Sequence, residues 1–208
     1  MSRIILASGS PRRKEILENM GLEFEILPAK GEEVIRSTVP SEVVEELSRQ
    51  KAMEVAGEVQ RYNEEHPDIT SPQDILVIGA DTVVACDDQI LGKPKDEEDA
   101  VRMLTMLQGR SHQVYTGVTL VFLSAEGKAG AHTFHDATEV MVYPMTETEI
   151  RRYVATGEPM DKAGAYGIQG RFAIHTKGIR GDFQNVVGFP VARFYQELNA
   201  LGIDIYLW

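Results

Sequence analysis

The chain opens on an apolar run, Ile4-Ile5-Leu6-Ala7, which gives way to small polar residues and then to a proline. That order predicts a strand, a tight loop and a helix. Ser10 is a favourable N-cap, and Pro11 suits the first helical position because its missing N–H is not needed there. Ile16, Leu17 and Met20 form an apolar stripe, and Gly21 ends the helix. Leu22 to Leu27 alternates weakly, as a short strand would, and residues 28–40 form a loop between two prolines. Ser41 then caps a long helix to about Tyr62, with Val44, Leu47, Val55 and Val59 on one stripe. Ile75 to Ala80 is apolar throughout, as in a strand buried on both faces. Asp87-Asp88 marks a turn that returns through Ile90-Leu91. Asp96 caps a helix with Ala100, Met103, Leu104 and Leu107 inward and Gly109 at its end. From His112 to Phe122, Val114, Thr116, Val118, Leu120 and Phe122 alternate, which predicts a long strand with one buried face. After a turn at 125–128, Ala129 to Tyr143 returns as its antiparallel partner. Thr146-Glu147-Thr148-Glu149 is a capping box, opening a helix with Ile150, Tyr153 and Val154 inward and Gly157 at the stop. Pro190 begins a last helix, with Phe194, Leu198 and Leu201 inward and Gly202 ending it. The apolar tail 203–208 packs on the body or against a second copy in a homodimer.

Alternating helices and strands over 208 residues predict one α/β domain spanning residues 1–208. A hydrophobic content of 43% and a charged content of 25% are ordinary for a soluble globular chain. No apolar run approaches the ~20 residues that span a bilayer, and the N-terminus lacks a signal-peptide core. The chain is therefore expected in the cytosol, with no membrane partner. A net charge of −11 argues against nucleic acid as a partner, while leaving room for a small anion held by local cations. The single cysteine, Cys86, excludes an internal disulfide and a cysteine-rich zinc site, and fits a buried strand position. His112, His132 and His135 lack compact ligand spacing and fit ordinary strand positions.

Five places carry unusual chemistry. Arg12-Arg13 occupies the first turn of a helix, where the dipole disfavours cations. With the Ser8 and Ser10 hydroxyls nearby, the pair suits a bound phosphate or else a solvated basic turn. Lys51 lies on the apolar stripe of its helix, so it must snorkel or meet an anion. Asp81 has apolar neighbours on both sides and needs a partner, a metal or a turn to cap. Lys93, between Gly92 and Pro94, is held extended or in a turn. Gly164, Gly167 and Gly170 permit positive φ or close approach of backbone to another group. No Walker A or dinucleotide fingerprint occurs.

Ser8-Gly9-Ser10-Pro11-Arg12-Arg13, Gly79-Ala80-Asp81-Thr82, Gly92-Lys93-Pro94 and Asp161-Lys162-Ala163-Gly164-Ala165-Tyr166-Gly167-Ile168-Gln169-Gly170 follow one another in order. Together they resemble the motifs of the Maf family of nucleoside triphosphate pyrophosphatases, from about residue 4 to about residue 198. Asn185-Val186-Val187-Gly188-Phe189-Pro190 is similar to a further motif, with Phe189 in place of leucine. The pattern resembles the branch acting on dTTP and UTP. The resemblance implies a long twisted mixed sheet flanked by helices, with two lobes around a cleft. It implies hydrolysis between the α- and β-phosphates, giving monophosphate and pyrophosphate. Ser8, Arg13, Lys51 and Lys93 would hold phosphate, and Asp81 would be catalytic. Glu33 and Asp81 would hold Mg2+ or Mn2+. Arg12, Thr82 and Gln169 would select the base; the Gln169 amide both donates and accepts, as pyrimidine recognition requires. The implied biological role is removal of unwanted nucleotides, with a link to septum formation. Two alternatives stand beside this one. A related branch hydrolyses 7-methyl-GTP, against which Thr82 directly after Asp81 argues. The other is a non-catalytic nucleotide-binding regulator of cell division.

Overall fold

The structure, a computed structural model, describes residues 2–66, 73–87 and 89–208. Its first unit is β1 (Arg3–Leu6) followed by α1 (Pro11–Asn19). Ser10 caps α1 by accepting from the Arg13 N–H, and Gly21 turns the chain at φ +79°. The expected strand over Leu22–Leu27 shrinks to β2 (Glu25–Ile26), whose two residues are exposed. It pairs only with the end of β1 at the sheet edge, so little apolar surface is buried by extending it.

The long helix α2 runs Pro40–Glu65, past the expected end at Tyr62. Ser41 does not cap it: Pro40 takes the first helical position, and Val39 stands at the N-cap with no side-chain bond. Proline has its φ preset for that position and no N–H left over, so the start needs no serine cap. The strand β3 (Ile75–Cys86) is twice the length of its apolar core and continues through Asp81-Thr82. Asp87 adopts φ +48° at the turn; Asp88 lies outside the described residues. The chain returns as β4 (Gln89–Leu91), and α3 (Glu97–Leu107) follows with Asp96 as its cap. The two longest strands, β5 (Ser111–Leu123) and β6 (Ala129–Val142), pair antiparallel along their whole length. One face of β5 was expected to be buried, yet every residue from Thr116 to Val121 is buried. The reason is its central place in the sheet, with α2 on one face and residues 183–200 on the other. The capping box at Thr146 opens α4 (Glu147–Val154), and β7 (Thr176–Arg180), α5 (Phe183–Val187) and α6 (Val191–Ala200) complete the chain. Leu201, expected inward, is 44% exposed because α6 ends before it. In the tail, Ile205 is buried and the Trp208 ring packs edge-on to Phe122.

The described residues form a seven-stranded mixed sheet in the order β2-β1-β3-β5-β6-β7, with β4 also paired to β3. β1 runs parallel to β2 and β3, and the later pairings are antiparallel. The helix α2 covers one face through Val44, Leu47, Val55 and Val59, and α1, α3, α4 and α6 contribute to the larger core. No helix among the described residues is long and apolar enough to cross a membrane.

One feature of this topology positions the cleft. The edge of β3 away from β5 is paired to β1 over Ile75–Ile78 and to β4 over Val84–Cys86. Between those stretches, residues 79–83 have no strand partner on that edge among the described residues. A cleft opens at the gap.

Candidate active site

The cleft has a volume of about 1180 Å³. All nine residues singled out from the sequence line it: Ser8, Arg12, Arg13, Glu33, Lys51, Asp81, Thr82, Lys93 and Gln169. They come from six separate segments, and the gap in the β3 edge brings them together. Successive strand residues point to opposite faces. Asp81 therefore turns toward α2 and Thr82 toward α1, while both border the unpaired edge.

On the α2 side, the Lys51 ammonium lies 2.5 Å from Asp81 Oδ1 and 2.9 Å from Glu33 Oε1. The lysine on the apolar stripe has met anions rather than snorkelled to water. Its side chain is 19% exposed and that of Asp81 14%, whereas Glu33 remains half exposed on its loop. Two glycines let α2 come this close. A Cβ on Gly79 would collide with the Ser48 carbonyl and lie 2.8 Å from the Ala52 N; one on Gly117 would collide with the Val44 carbonyl.

On the α1 side, the Arg13 guanidinium donates from Nε to the Gly188 carbonyl (2.9 Å), from Nη1 to Ser8 Oγ (3.1 Å) and from Nη2 to Thr82 Oγ1 (3.0 Å). Thr116 donates to the Asn185 carbonyl, which commits its proton. The 2.9 Å contact between Thr82 and Thr116 is therefore donated by Thr82. The resulting order is Arg13 to Thr82 to Thr116 to the Asn185 carbonyl. Arg13 keeps two N–H groups unused in this set, one on each terminal nitrogen, in the fork that suits a phosphate. Burial pulls the Arg13 pKa down, partly offset by the Asp81 charge. Ser8 accepts from Arg13 and from the Ser10 N–H, so its own proton is left for a ligand.

Across the cleft, Arg12 Nη1 donates to Asp161 Oδ2 at 3.1 Å, and the Lys162 ammonium donates to Asp161 Oδ1 at 2.6 Å. Burial raises the Asp161 carboxyl pKa, but the Lys162 and Arg12 hydrogen bonds outweigh it and the net shift is downward. Lys93 lines the cleft and makes no ion pair among the described residues. Gln169 is exposed on the glycine-rich segment.

A divalent cation is tested against this donor set. No group of three or more His, Cys, Asp or Glu residues that could hold a metal occurs among the described residues. Glu33 and Asp81 nevertheless converge on one cationic atom, the Lys51 ammonium. Two hard carboxylates fit Mg2+ or Mn2+ when phosphate oxygens and water fill the remaining positions.

Sequence reasoning missed Thr116, Asp161 and Lys162 as parts of the site. Thr116 had a signal: a hydroxyl in a fully buried strand requires a partner. Asp161 and Lys162 stood inside a quoted motif, but their pairing with Arg12 spans 149 positions and leaves no local trace.

A family model described as Maf-like protein matches residues 3–201. A relative from Agathobacter rectalis named dTTP/UTP pyrophosphatase is 66% identical over 205 residues, covering 99% of this chain and 100% of the relative. Relatives of the same name from Lachnoclostridium phytofermentans and Bacillus cereus (strain AH187) are each 45% identical, covering 99% of this chain and 98% of theirs.

Proposed function

The chain belongs to the Maf-like protein family, and from that premise we propose that it is a nucleoside triphosphate pyrophosphatase that converts dTTP and UTP to the monophosphate and pyrophosphate. The observation that carries the reading is the convergence of Glu33 and Asp81 with Arg12, Arg13, Lys51 and Lys93 on one cleft at the unpaired edge of β3. A triphosphate is a polyanion, and water attacks its phosphorus only when that charge is neutralised. Arg13 offers its two unused N–H groups, Ser8 its hydroxyl, and Lys51 and Lys93 their ammonium groups. Asp81 accepts the proton of the attacking water. Glu33 and Asp81 would hold a divalent cation, which when bound polarises phosphate oxygens and lowers the pKa of water.

Base choice falls to Gln169, Arg12 and Thr82. Thymine and uracil share O2, N3–H and O4, and one amide both donates to a carbonyl and accepts from N3–H. Thr82 has its proton committed to Thr116, so it acts on selectivity by holding Arg13 rather than by donating to substrate. Arg12 is freed to meet a ligand when it leaves Asp161. The same activity would serve removal of unwanted pyrimidine nucleotides.

A panel of nucleoside triphosphates, assayed with and without Mg2+ or Mn2+, tests the proposal. dTTP and UTP are expected to turn over with metal present and to stop in chelator. CTP, GTP and 7-methyl-GTP are expected to be poor substrates. Preferred turnover of 7-methyl-GTP would move the chain to the other branch, and nucleotide binding without turnover would make it a regulator.

A further inference from the structure

The segment that carries Gln169 is irregular, and irregular backbone near a cleft keeps its place only if its N–H and C=O groups are bound elsewhere. Two side chains do this from below. The Gly167 N–H donates to the Tyr153 hydroxyl at 3.1 Å. That hydroxyl donates in turn to Glu158 Oε1 at 2.9 Å. The Arg171 N–H donates to both oxygens of the same carboxylate, at 3.1 and 3.0 Å. Gln169 thus stands midway between two backbone anchors that end on one carboxylate.

The packing leaves no slack around those anchors. A Cβ on Gly170 would collide with Glu158 Oε1, and one on Gly167 would lie 2.7 Å from the Lys162 stem. Two of the three glycines in this motif therefore serve close approach to this carboxylate and its neighbour. Gly164 differs, turning at φ +67° against the Val84 side chain. The base of the latch is rigid. Tyr153 is buried on α4 and packs its ring against Phe172, 5.2 Å between centroids. Burial, with the neighbouring Glu158 charge adding to it, raises the Tyr153 pKa. Its hydroxyl therefore stays protonated and the direction of the relay is fixed.

We propose that Tyr153 and Glu158 are positioning residues that set the base selectivity of the cleft by latching the Gly167–Arg171 segment at both sides of Gln169. The proposal rests on Gln169 reading the base. Tyr153 stands outside the cleft lining, and Glu158 borders the cleft with its carboxylate taken up by the Tyr153 hydroxyl and the Arg171 N–H, so each acts through the loop. Losing the latch frees Gln169 to sample other positions, and a misplaced reader weakens binding of the base it should select.

Tyr153→Phe keeps the ring and removes both hydroxyl bonds. Glu158→Gln keeps an acceptor for Arg171, and Glu158→Ala removes it. For Tyr153→Phe and Glu158→Ala, the kcat/KM ratio of dTTP to CTP is expected to shrink by on the order of fivefold to tenfold, the value of one net hydrogen bond. The loss should sit in the dTTP value, and Glu158→Gln should recover most of it. In a Gln169→Ala background, Tyr153→Phe should change the ratio no further. Amide exchange on the substrate-free protein gives a readout independent of turnover: Gly167 is expected to exchange at least ~10-fold faster in Tyr153→Phe. Equal losses on all nucleotides, or unaltered exchange at Gly167, would overturn the latch. An intact dTTP/CTP ratio in Gln169→Ala overturns instead the base reading on which it rests, so the two failures are distinguishable.

Discussion

Asp81 and Thr82 are neighbours in sequence and do opposite work because a strand sends alternate side chains to opposite faces. Asp81 meets Lys51 of α2, which also pairs with Glu33; Thr82 donates a hydrogen bond inward to Thr116 and accepts one from Arg13. The assignment of Asp81 predicts that Asp81→Asn, which keeps shape and loses charge, lowers kcat by at least ~100-fold. The unfolding temperature should stay within a few degrees, since Lys51 keeps Glu33 as its partner. Steady-state kinetics beside a thermal melt check both halves; near wild-type turnover would make Asp81 a structural residue. Much of this was legible in the chain. Lys51 on an apolar stripe, and Asp81 inside an apolar strand, each announced a need for a counter-charge. What stayed hidden was the partner, because Lys51 and Asp81 lie 30 positions apart and Arg13 meets a carbonyl 175 positions away. Thr82 shows the other limit: a hydroxyl can be seen in a sequence, but where its proton goes cannot.

At the scale of elements, the reach of α2 onto the sheet decides where Lys51 ends up. Val44, Leu47, Val55 and Val59 specify that the helix packs, but not how closely. The closeness comes from Gly79 on β3 and Gly117 on β5, which look in sequence like interruptions of a strand. Gly79→Ala should wedge α2 outward, costing about 1–3 kcal/mol as overpacking does, a drop of several degrees in melting temperature. It should also reduce turnover, because the Lys51–Asp81 contact is stretched. Gly57, on the same helix, supplies the control: a Cβ there would meet nothing within 4 Å. Gly57→Ala should leave activity unchanged and stabilise by up to ~1 kcal/mol through helix propensity. If Gly79→Ala melts and turns over as wild type does, the close approach is not what places Lys51. The ends of elements were less legible than their middles. Pro40 displaced Ser41 from the cap, and Glu25–Ile26 is all that pairs of a six-residue alternation. In each case a local signal competed with a neighbour that sequence alone could not rank.

For the whole molecule, the mixed sheet leaves a gap in the β3 edge among the described residues, and the cleft forms there. Behind the cleft, His112 is 3% exposed and bonded through Nε2 to the Tyr166 hydroxyl at 2.7 Å. Burial lowers its pKa to about 4. The folded state therefore holds His112 neutral where the unfolded chain, with its imidazole near the ordinary 6.5, has begun to take a proton. The unfolded state binds more protons in that window, so stability rises with pH and is lost as pH falls from 6.5 toward 4. Between pH 6.5 and 5 the loss should be about 1.5 kcal/mol. Chemical denaturation at several pH values measures it, and His112→Gln should flatten the curve over that interval. An unchanged slope in the variant would place the dependence on other groups. The proposed reaction breaks one link, between the α- and β-phosphates. Phosphorus NMR of purified enzyme turning over dTTP with Mg2+ or Mn2+ tests it most directly. dTMP and pyrophosphate are expected to rise together from the first turnover. Appearance of dTDP and orthophosphate as the primary products would contradict it.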